Sequence, residues 1–278
     1  MLAVKVSVLI TTYNREKYIT EAIESILTST YKNLEVVVLD DCSSDNTVSI
    51  VSEYMNTDQR VRVVKNDVNL GQFANRNKAI ELAKGELIKF LDSDDYLYPH
   101  GLELMVHAME RCPEAGIGVP ATWFNDKLPF CKTSHDAFLA HYSGGNFLSH
   151  GPTAVIYRRD VLKKNHLIFE DKYGILADGL FNLKLACLAP VAFFQSGLYY
   201  WRVHNEQVTE GQKKTLQMIL ERNAIMKAAL NYQYCPLTTD EKKLIIWNFN
   251  KINLRHLLKF FFSGRIRDAI KIASCLGA

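Results

Sequence analysis

Three carboxylates lie within four residues, directly after a mostly apolar segment in the first half of the chain. Residues 88–91 are followed by Asp92-Ser93-Asp94-Asp95. Divalent cations such as Mg²⁺ and Mn²⁺ prefer carboxylate oxygens and take their remaining ligands from water and substrate phosphates, so this cluster is a candidate metal site. Aspartate and serine are also ordinary turn and capping residues, and a helix is predicted to begin near Pro99, so an acidic turn is the alternative.

A second pair of carboxylates, Asp40 and Asp41, ends the apolar segment 34–39. Open α/β sheets bind ligands in the crevice at the carboxyl ends of their strands. If both apolar segments are strands of one sheet, the two groups of acids border one crevice. Successive side chains of a strand point in opposite directions, so we expect only one of Asp40 and Asp41 to face it.

Strand-like and helix-like segments alternate over the first hundred residues. Strands are predicted at 6–12, 34–40, 61–65 and 87–91, with apolar residues at helical spacing between them. This alternation predicts a mainly parallel sheet covered by helices. The pattern weakens after Asp95. We predict a helix at 101–111, a strand at 116–122, an irregular stretch at 123–151, a helix at 176–188 and strands at 191–194 and 198–203. Only helices are predicted after residue 213.

Composition excludes several classes of protein. The chain has 278 residues, a hydrophobic content of 48% and a formal net charge of +3, which gives no reason to expect a nucleic-acid partner. Its six cysteines are scattered without metal-ligand spacing, so we predict reduced, mostly buried thiols in a cytoplasmic protein. No secretory signal is evident at the N-terminus, and polar residues interrupt the most apolar internal stretch, 183–201.

Several short motifs occur in one order along the first hundred residues. They are SVLITTYN at 7–14, VLDDCSSD at 38–45, NLG at 69–71, Arg76-Asn77, Gly85-Glu86 and the acidic cluster at 92–95. In this order and spacing the sequence resembles the family 2 glycosyltransferases, inverting enzymes of GT-A fold that use nucleotide-diphosphate sugars. Fainter similarity continues to about residue 209.

The resemblance implies a fold and a domain organisation. The expected fold is α/β, a GT-A Rossmann-like, mainly parallel sheet with helices on both faces. Residues 1–211 would form the glycosyltransferase domain, with a nucleotide-binding half at 1–98 and an acceptor-binding half at 99–211. Residues 212–278 would form a C-terminal helical extension.

The resemblance also implies a donor pocket. Its nucleotide-sugar-binding residues would be Thr11, Tyr13, Asp41, Asn69, Arg76, Asp92, Ser93 and Arg202. A tyrosine ring can lie against a nucleobase, a carboxylate can accept from the uracil N–H, and arginine offers planar donors to base or phosphate. Two alternatives stay open: Tyr13 could pack on the first helix, and Asn69 could serve the turn before Leu70-Gly71.

In the family pattern the acidic cluster binds Mn²⁺ or Mg²⁺, which would neutralise the departing nucleoside diphosphate. The implied metal ligands are Asp94, Asp95 and His204, with Asp92 nearer the ribose; whether Asp94 or Asp95 ligates the ion stays open, and His204 could instead be structural. Arg202 and His204 alternate across Val203, which would place both on one strand face.

An inverting transfer also needs a base that takes the proton of the acceptor hydroxyl. The matching residue is Asp178, although Ala177 replaces the more usual first acid of the pair. Asp178 could instead be a helix N-cap, and Asp171 and Glu170 are the other candidates.

The resemblance therefore implies transfer from a nucleotide-diphosphate sugar, with UDP as the expected nucleotide, to a cell-surface polysaccharide, teichoic-acid or lipid-linked acceptor. One alternative is a non-catalytic nucleotide-sugar-binding scaffold. Another is a nucleotidyltransferase, which would normally carry a glycine-rich loop after its first strand, whereas residues 12–15 contain no glycine.

The C-terminal segment combines apolar and basic residues. Residues 253–262 are densely apolar and are followed by Arg265, Arg267 and Lys271. Such a segment can lie peripherally on the cytoplasmic face of an anionic membrane, or it can pack on the catalytic domain or on a second copy of the chain.

Overall fold

The computed structural model of the chain describes residues 4–121, 127–204 and 215–276. Its first half is a parallel sheet whose strands follow one another through helices. The strands are β1 (Val6–Thr12), β2 (Leu34–Asp40), β3 (Val61–Lys65) and β4 (Leu87–Asp92), and they lie in the order β3-β2-β1-β4. The helices between them are α1 (Ile19–Leu27), α2 (Thr47–Thr57) and α3 (Gln72–Leu82). The predicted alternation of strands and helices is confirmed.

The second half extends the same sheet to eight strands. After the short strand β5 (Tyr96–Leu97) and helix α4 (Gly101–Arg111) come β6 (Ile117–Ala121), β7 (Phe130–Lys132), α5 (Ser134–Ala140), β8 (Ile156–Arg158), α6 (Arg159–Lys164), α7 (Ala177–Leu188) and β9 (Val191–Gln195). The complete order is β3-β2-β1-β4-β8-β6-β9-β7. Strand β8 is antiparallel to both of its neighbours, so it joins the two halves. The short strand β10 (Tyr199–Tyr200) pairs with β5 outside this sheet.

Both faces of the sheet are buried under helices. Along β1, Val8 and Ile10 belong to a core shared with α1 and α4, whereas Leu9 belongs to a core shared with α3 and α7. This alternation follows from the two-residue period of a strand. The predicted GT-A arrangement, a mainly parallel sheet with helices on both faces, is confirmed.

The C-terminal helices are α8 (Thr215–Leu230), α9 (Thr239–Phe262) and α10 (Ile266–Ala273). Ile225, Met226 and Leu230 of α8, and Ile245 of α9, pack into the same core as α7. The predicted boundary at 211 and 212 lies outside the described residues, and the division into domains stays a prediction. Helices α8 and α9 nevertheless share a core with the preceding elements, whereas α10 packs with α8 and α9 in a separate cluster. None of the helices in the described ranges is long and apolar enough to cross a membrane.

Three local predictions were wrong. The stretch 123–151, predicted as irregular, contains β7 and α5 in its described part, because elements this short show little periodicity. The strand predicted at 198–203 is limited to Tyr199–Tyr200. Cys112 and Cys131 form a disulfide, and among the remaining cysteines only Cys187 is buried, so the prediction of six reduced, mostly buried thiols is corrected.

Candidate active site

A cavity of about 680 Å³ opens at the carboxyl ends of β1, β2 and β4. The strand register places Thr12 beside Asp40 and Thr11 beside Asp92, so the three strands end at the same level. Both acidic groups therefore lie at one sheet edge, as the sequence predicts. The predicted site residues that line the cavity are Thr11, Tyr13, Asp41, Asn69, Arg76, Asp92, Ser93, Asp94, Asp95 and Asp178.

The two acids that end β2 face different surroundings. Asp40 is completely buried, and its carboxylate accepts a hydrogen bond of 2.8 Å from the backbone N–H of Ser43. Asp41 lines the cavity instead, and it accepts from the backbone N–H groups of Leu70 at 2.8 Å and Gly71 at 2.9 Å. Gly71 has a φ of +84°, which side-chain-bearing residues rarely adopt. Asp41 thus anchors the loop before α3, and its carboxylate has further lone pairs for a ligand N–H.

Tyr13 and Asn69 both line the cavity, and the structure bears on the alternative proposed for each. The ring of Tyr13 is 47% exposed, which is more than a purely packing role would leave. The Oδ1 atom of Asn69 accepts from the N–H of Gly71 at 3.1 Å, which is the turn role. Asn69 also lines the cavity, so this turn bond does not remove it from contact with a ligand.

A buried guanidinium connects two carboxylates of the cavity. Arg76 donates from Nη1 to Oδ1 of Asp178 and from Nη2 to Oδ1 of Asp92, each at 2.8 Å. Its Cζ atom lies 6.0 Å from the ring centroid of Phe73 and 5.8 Å from that of Phe169. Burial alone would lower the pKa of Arg76, but Asp178 and Asp92 raise it. Arg76 therefore lines the cavity as predicted, with its terminal nitrogens engaged by carboxylates.

Asp178 occupies the first turn of α7, but it does not cap the helix. The N-cap position is Leu176, and no side chain makes a capping hydrogen bond there. The N-cap alternative for Asp178 is therefore wrong. Burial raises the pKa of Asp178, although Arg76 opposes the shift, and a raised pKa makes a carboxylate a stronger base.

The two other candidates for the base lie elsewhere. Glu170 contacts Lys172 at 2.8 Å and also pairs with Lys184, whereas Asp171 is exposed to solvent. Neither of them lines the cavity. Of the three carboxylates considered from the sequence, Asp178 alone combines cavity contact with a buried partner.

The acidic cluster after β4 separates into three environments. Asp92 contacts Arg76, and Oδ2 of Asp94 lies 2.9 Å from Nε2 of His204 and 3.8 Å from Nε of Arg15. Asp95 is buried, and its Oδ1 accepts from the backbone N–H of Arg202 at 3.0 Å. Burial and the neighbouring Asp92 raise the pKa of Asp95 to about 7. Asp94 is thus the acid of the cluster whose carboxylate lies beside the imidazole of His204.

Arg202 and His204 are not on a strand, so their predicted placement on one strand face is wrong. The guanidinium of Arg202 pairs with Glu21, donates to the backbone carbonyl of Asp94 at 3.0 Å and lies 5.4 Å from the ring centroid of Tyr18. The ring of His204 lies 4.7 Å from that of Tyr18. Neither residue lines the cavity, and they reach it through Asp94 and Asp95.

The residues at the acidic cluster fit a divalent cation that is shared with a substrate. Within the described ranges, no group of three or more His, Cys, Asp or Glu side chains could hold a metal ion by itself. Mg²⁺ is commonly bound through one or two carboxylates together with substrate phosphates, so a group of three protein ligands is not required. Asp94 supplies such a carboxylate, with the imidazole of His204 beside it. The buried Oδ2 of Asp95, which makes no hydrogen bond in the described structure, is a further oxygen donor.

Among the residues at and near the cavity that sequence reasoning did not identify, three support the acidic cluster. Lys89 is completely buried, and its Nζ donates to the backbone carbonyls of Pro152, Thr153 and Val155, which follow one another beside the cavity. Burial lowers the pKa of Lys89 to about 7. The hydroxyl of Thr153 in turn accepts from the N–H of Asp92 at 3.0 Å. The third is Arg15 beside Asp94. A single lysine inside an apolar strand was the signal available for Lys89; Thr153 had no comparable signal.

Comparison with known proteins identifies the family of the chain. The family model for glycosyl transferase family 2 matches residues 7–166. The chain is 30% identical over 222 residues to the putative glycosyltransferase EpsH of Bacillus subtilis, covering 76% of this chain and 64% of the relative. It is 31% identical over 218 residues to the poly(ribitol-phosphate) beta-N-acetylglucosaminyltransferase TarS of Staphylococcus aureus, covering 73% of this chain and 36% of the relative. The chain thus spans less than two thirds of each relative.

Solved structures show the same architecture. The crystal structure of residues 1–349 of S. aureus TarS in complex with UDP has a TM-score of 0.66 at 26% identity, covering 88% of this chain and 70% of that chain. The Pyrobaculum calidifontis mannosyltransferase PcManGT, in complex with GDP-Man and Mn²⁺, has a TM-score of 0.67 at 18% identity, covering 98% of this chain and 76% of that chain. With the family model matching more than half of its length, the chain belongs to glycosyl transferase family 2.

Proposed function

We propose that this chain is an inverting glycosyltransferase that transfers a sugar from a UDP-sugar to an acceptor hydroxyl. The observation that carries the proposal is the placement of Asp178 and the acids after β4 in one cavity, joined through Arg76. Relatives with more than a quarter of residues identical include TarS, an N-acetylglucosaminyltransferase whose structure contains UDP. That likeness supports UDP as the nucleotide and does not decide which sugar is transferred.

The donor would lie along the carboxyl edge of the sheet. The nucleobase would contact the exposed ring of Tyr13 and the carboxylate of Asp41, and Thr11 and Asn69 line the same cavity. The diphosphate would lie near Ser93 and Asp94, with the ribose close to Asp92. A Mn²⁺ or Mg²⁺ ion held by Asp94, with Asp95 and His204 as further donors, would neutralise negative charge on the diphosphate.

The reaction would be a single displacement. Asp178 would take the proton of the acceptor hydroxyl while that oxygen forms a bond to the anomeric carbon of the sugar. The bond between the anomeric carbon and the diphosphate oxygen breaks, and its electron pair leaves with the nucleoside diphosphate. Because the acceptor attacks from the face opposite the leaving group, the configuration at the anomeric carbon inverts.

In this proposal Arg76 is a positioning residue. Its two terminal nitrogens hold the carboxylates of Asp178 and Asp92 in fixed orientations. A rigidly held base is more effective than a mobile one, because a small displacement of a catalytic group costs much of the rate. The bond to Arg76 also opposes the rise in the pKa of Asp178 that burial causes.

The acceptor is proposed from the relatives alone. One is an Escherichia coli glucosyltransferase that acts on alpha-D-GlcNAc-diphosphoundecaprenol, 40% identical over 105 residues, and another is the putative teichuronic acid biosynthesis glycosyltransferase TuaG of B. subtilis. We propose a cell-envelope polymer or lipid-linked glycan as the acceptor class, modified at the cytoplasmic face of the membrane. A scaffold without turnover is the weaker proposal, because Asp178 and the acidic cluster share one cavity here.

The substitution Asp178→Asn tests the base. Asparagine keeps the size and the acceptor oxygen that faces Arg76, but it cannot take the proton, so sugar transfer should fall by roughly two to four orders of magnitude. UDP affinity, measured by calorimetry with Mn²⁺, should stay within a few-fold of the wild type. Asp171→Asn is the matched control and should transfer normally. Near-normal transfer by Asp178→Asn would remove this residue from the mechanism.

The substitution Asp94→Ala tests the metal site. The carboxylate would act on the diphosphate through the ion, so the gain in UDP affinity on adding Mn²⁺ should disappear together with turnover. Calorimetric titration of UDP with and without Mn²⁺ measures this gain directly. Asp240→Ala, which removes an exposed carboxylate of α9, should leave it unchanged. A normal Mn²⁺ effect in Asp94→Ala would move the ligand role to Asp92 or Asp95.

The substitution Arg76→Met tests the positioning residue. Removing one partner from a buried ionic group leaves uncompensated charge, so the free energy of unfolding should fall by about 3 kcal/mol, at the low end of the usual range because Asp92 is 35% exposed. Arg60→Met breaks an arginine–aspartate pair that is more exposed, and it should cost at most about 1 kcal/mol. Equal denaturant midpoints for the two variants would contradict the role assigned to Arg76.

A further inference from the structure

Helix α9 carries a row of large apolar side chains on the side that faces away from the core. Its inner side is marked by the buried residues Ile245, Asn253 and Phe260. The outer row is spaced by three, four or seven residues, and its members are 44–56% exposed: Leu244, Trp247, Leu254, Leu258 and Phe261. This spacing places them on one helix face. Most apolar side chains of this size are buried in soluble domains, so a continuous exposed row indicates a surface that binds something.

The exposed apolar row continues through Phe262, the last residue of α9, and into α10. Phe262 is 81% exposed, and Ile266 and Ile270 of α10 are 55% and 64% exposed. Ala269 and Ile272 of the same short helix are buried against the neighbouring helices. Only part of the apolar surface of α10 is therefore covered. We call the exposed apolar residues of α9 and α10, from Leu244 to Ile270, the C-terminal apolar surface.

The charges around this surface are mainly positive. Between residues 251 and 273 the basic residues are Lys251, Arg255, Lys259, Arg265, Arg267 and Lys271, all of them exposed, and the only acid is Asp268. The whole chain has a formal net charge of only +3, so positive charge is concentrated in this segment. Lys251 lies within the apolar row, with its Nζ 3.0 Å from the ring centroid of Trp247.

This charge pattern distinguishes between two occupants of the surface. A second copy of the chain would bring the same apolar row together with the same cations. Since no acid lies between 251 and 262, Lys251, Arg255 and Lys259 would have no opposite charge to meet in that stretch. An anionic lipid surface carries the opposite charge over its whole area. It accepts apolar side chains below the headgroups, and lysine ammonium groups lie at the level of the headgroups.

We propose that α9 and α10 form a peripheral binding surface for anionic phospholipid membranes. Phe261 and Phe262, with Ile266 and Ile270, would insert their side chains beneath the headgroups, while Arg255 and Lys259 contact lipid phosphates. The proposal stands on exposure and charge alone and does not depend on the proposed transfer reaction. It gives the C-terminal helices a role in locating the enzyme, in addition to their contribution to the core.

Vesicle flotation of the full chain tests the proposal. Wild-type protein should float with vesicles that contain phosphatidylglycerol and much less with pure phosphatidylcholine, and high salt should reduce flotation because it screens the charges. The double substitution Phe261→Ser with Phe262→Ser should lower the partition coefficient by about tenfold or more. Arg255→Gln with Lys259→Gln should lower it by about tenfold or more on anionic vesicles, with little change on neutral ones.

Matched substitutions elsewhere on the protein distinguish binding through this surface from nonspecific adsorption to vesicles. Met55→Ser removes a partly exposed apolar side chain from α2, and Lys163→Gln with Lys164→Gln removes two exposed cations at the end of α6; neither should change flotation. Each variant should keep the wild-type melting temperature and UDP affinity, since the altered side chains lie on the surface and outside the cavity.

Three results would overturn the proposal. The first is equal flotation of the wild type with anionic and neutral vesicles, and the second is equal flotation of the wild type and the phenylalanine variant. The third is a wild-type chain that sediments as a dimer, becomes a monomer in the phenylalanine variant and does not float. That third result would assign the C-terminal apolar surface to contact between two copies of the chain.

Discussion

The buried guanidinium of Arg76 is the interaction on which the arrangement of the site depends. It extends from α3 and binds Asp92 at the end of β4 and Asp178 on α7. A buried charge is tolerated only when it is paired, so neither carboxylate can move away without a large energetic cost. One residue thus couples the acid expected near the donor to the base expected near the acceptor.

A second buried cation supports the same edge of the sheet. Lys89 lies in the middle of β4 and holds the carbonyls of 152–155, and Thr153 from that segment contacts the backbone of Asp92. The acids after β4 would repel one another if they stood alone, and Arg76, Arg15 and His204 surround them with cationic or hydrogen-bonding groups. A diphosphate and a divalent ion would bind by replacing part of this network. Their charges would then complement the charges of the site.

The fold was largely predictable, and the site was predictable in part. The parallel half follows from four apolar segments alternating with helical spacing, and the shared edge of Asp41 and Asp92 follows from where those segments end. Contacts between distant segments could not be derived: nothing local in the sequence places Arg76 against Asp178, 102 residues away. Asp178 resembled an N-cap because aspartate is common at helix starts, whereas its side chain is held by Arg76. Arg202 and His204 suggested a strand by alternation, but the pairing with β5 ends at Tyr200.

We propose that one cavity binds a nucleoside diphosphate at the acidic cluster, while Asp178 does not contact the nucleotide and is free to contact the acceptor. A crystal structure of the chain with UDP and Mn²⁺ tests this claim most directly. The account predicts uracil between Tyr13 and Asp41, the diphosphate and the ion at Asp94, and Asp178 still bonded to Arg76 without contact to the nucleotide. A nucleotide bound outside this cavity, or one whose phosphates displace Asp178 from Arg76, would contradict the account.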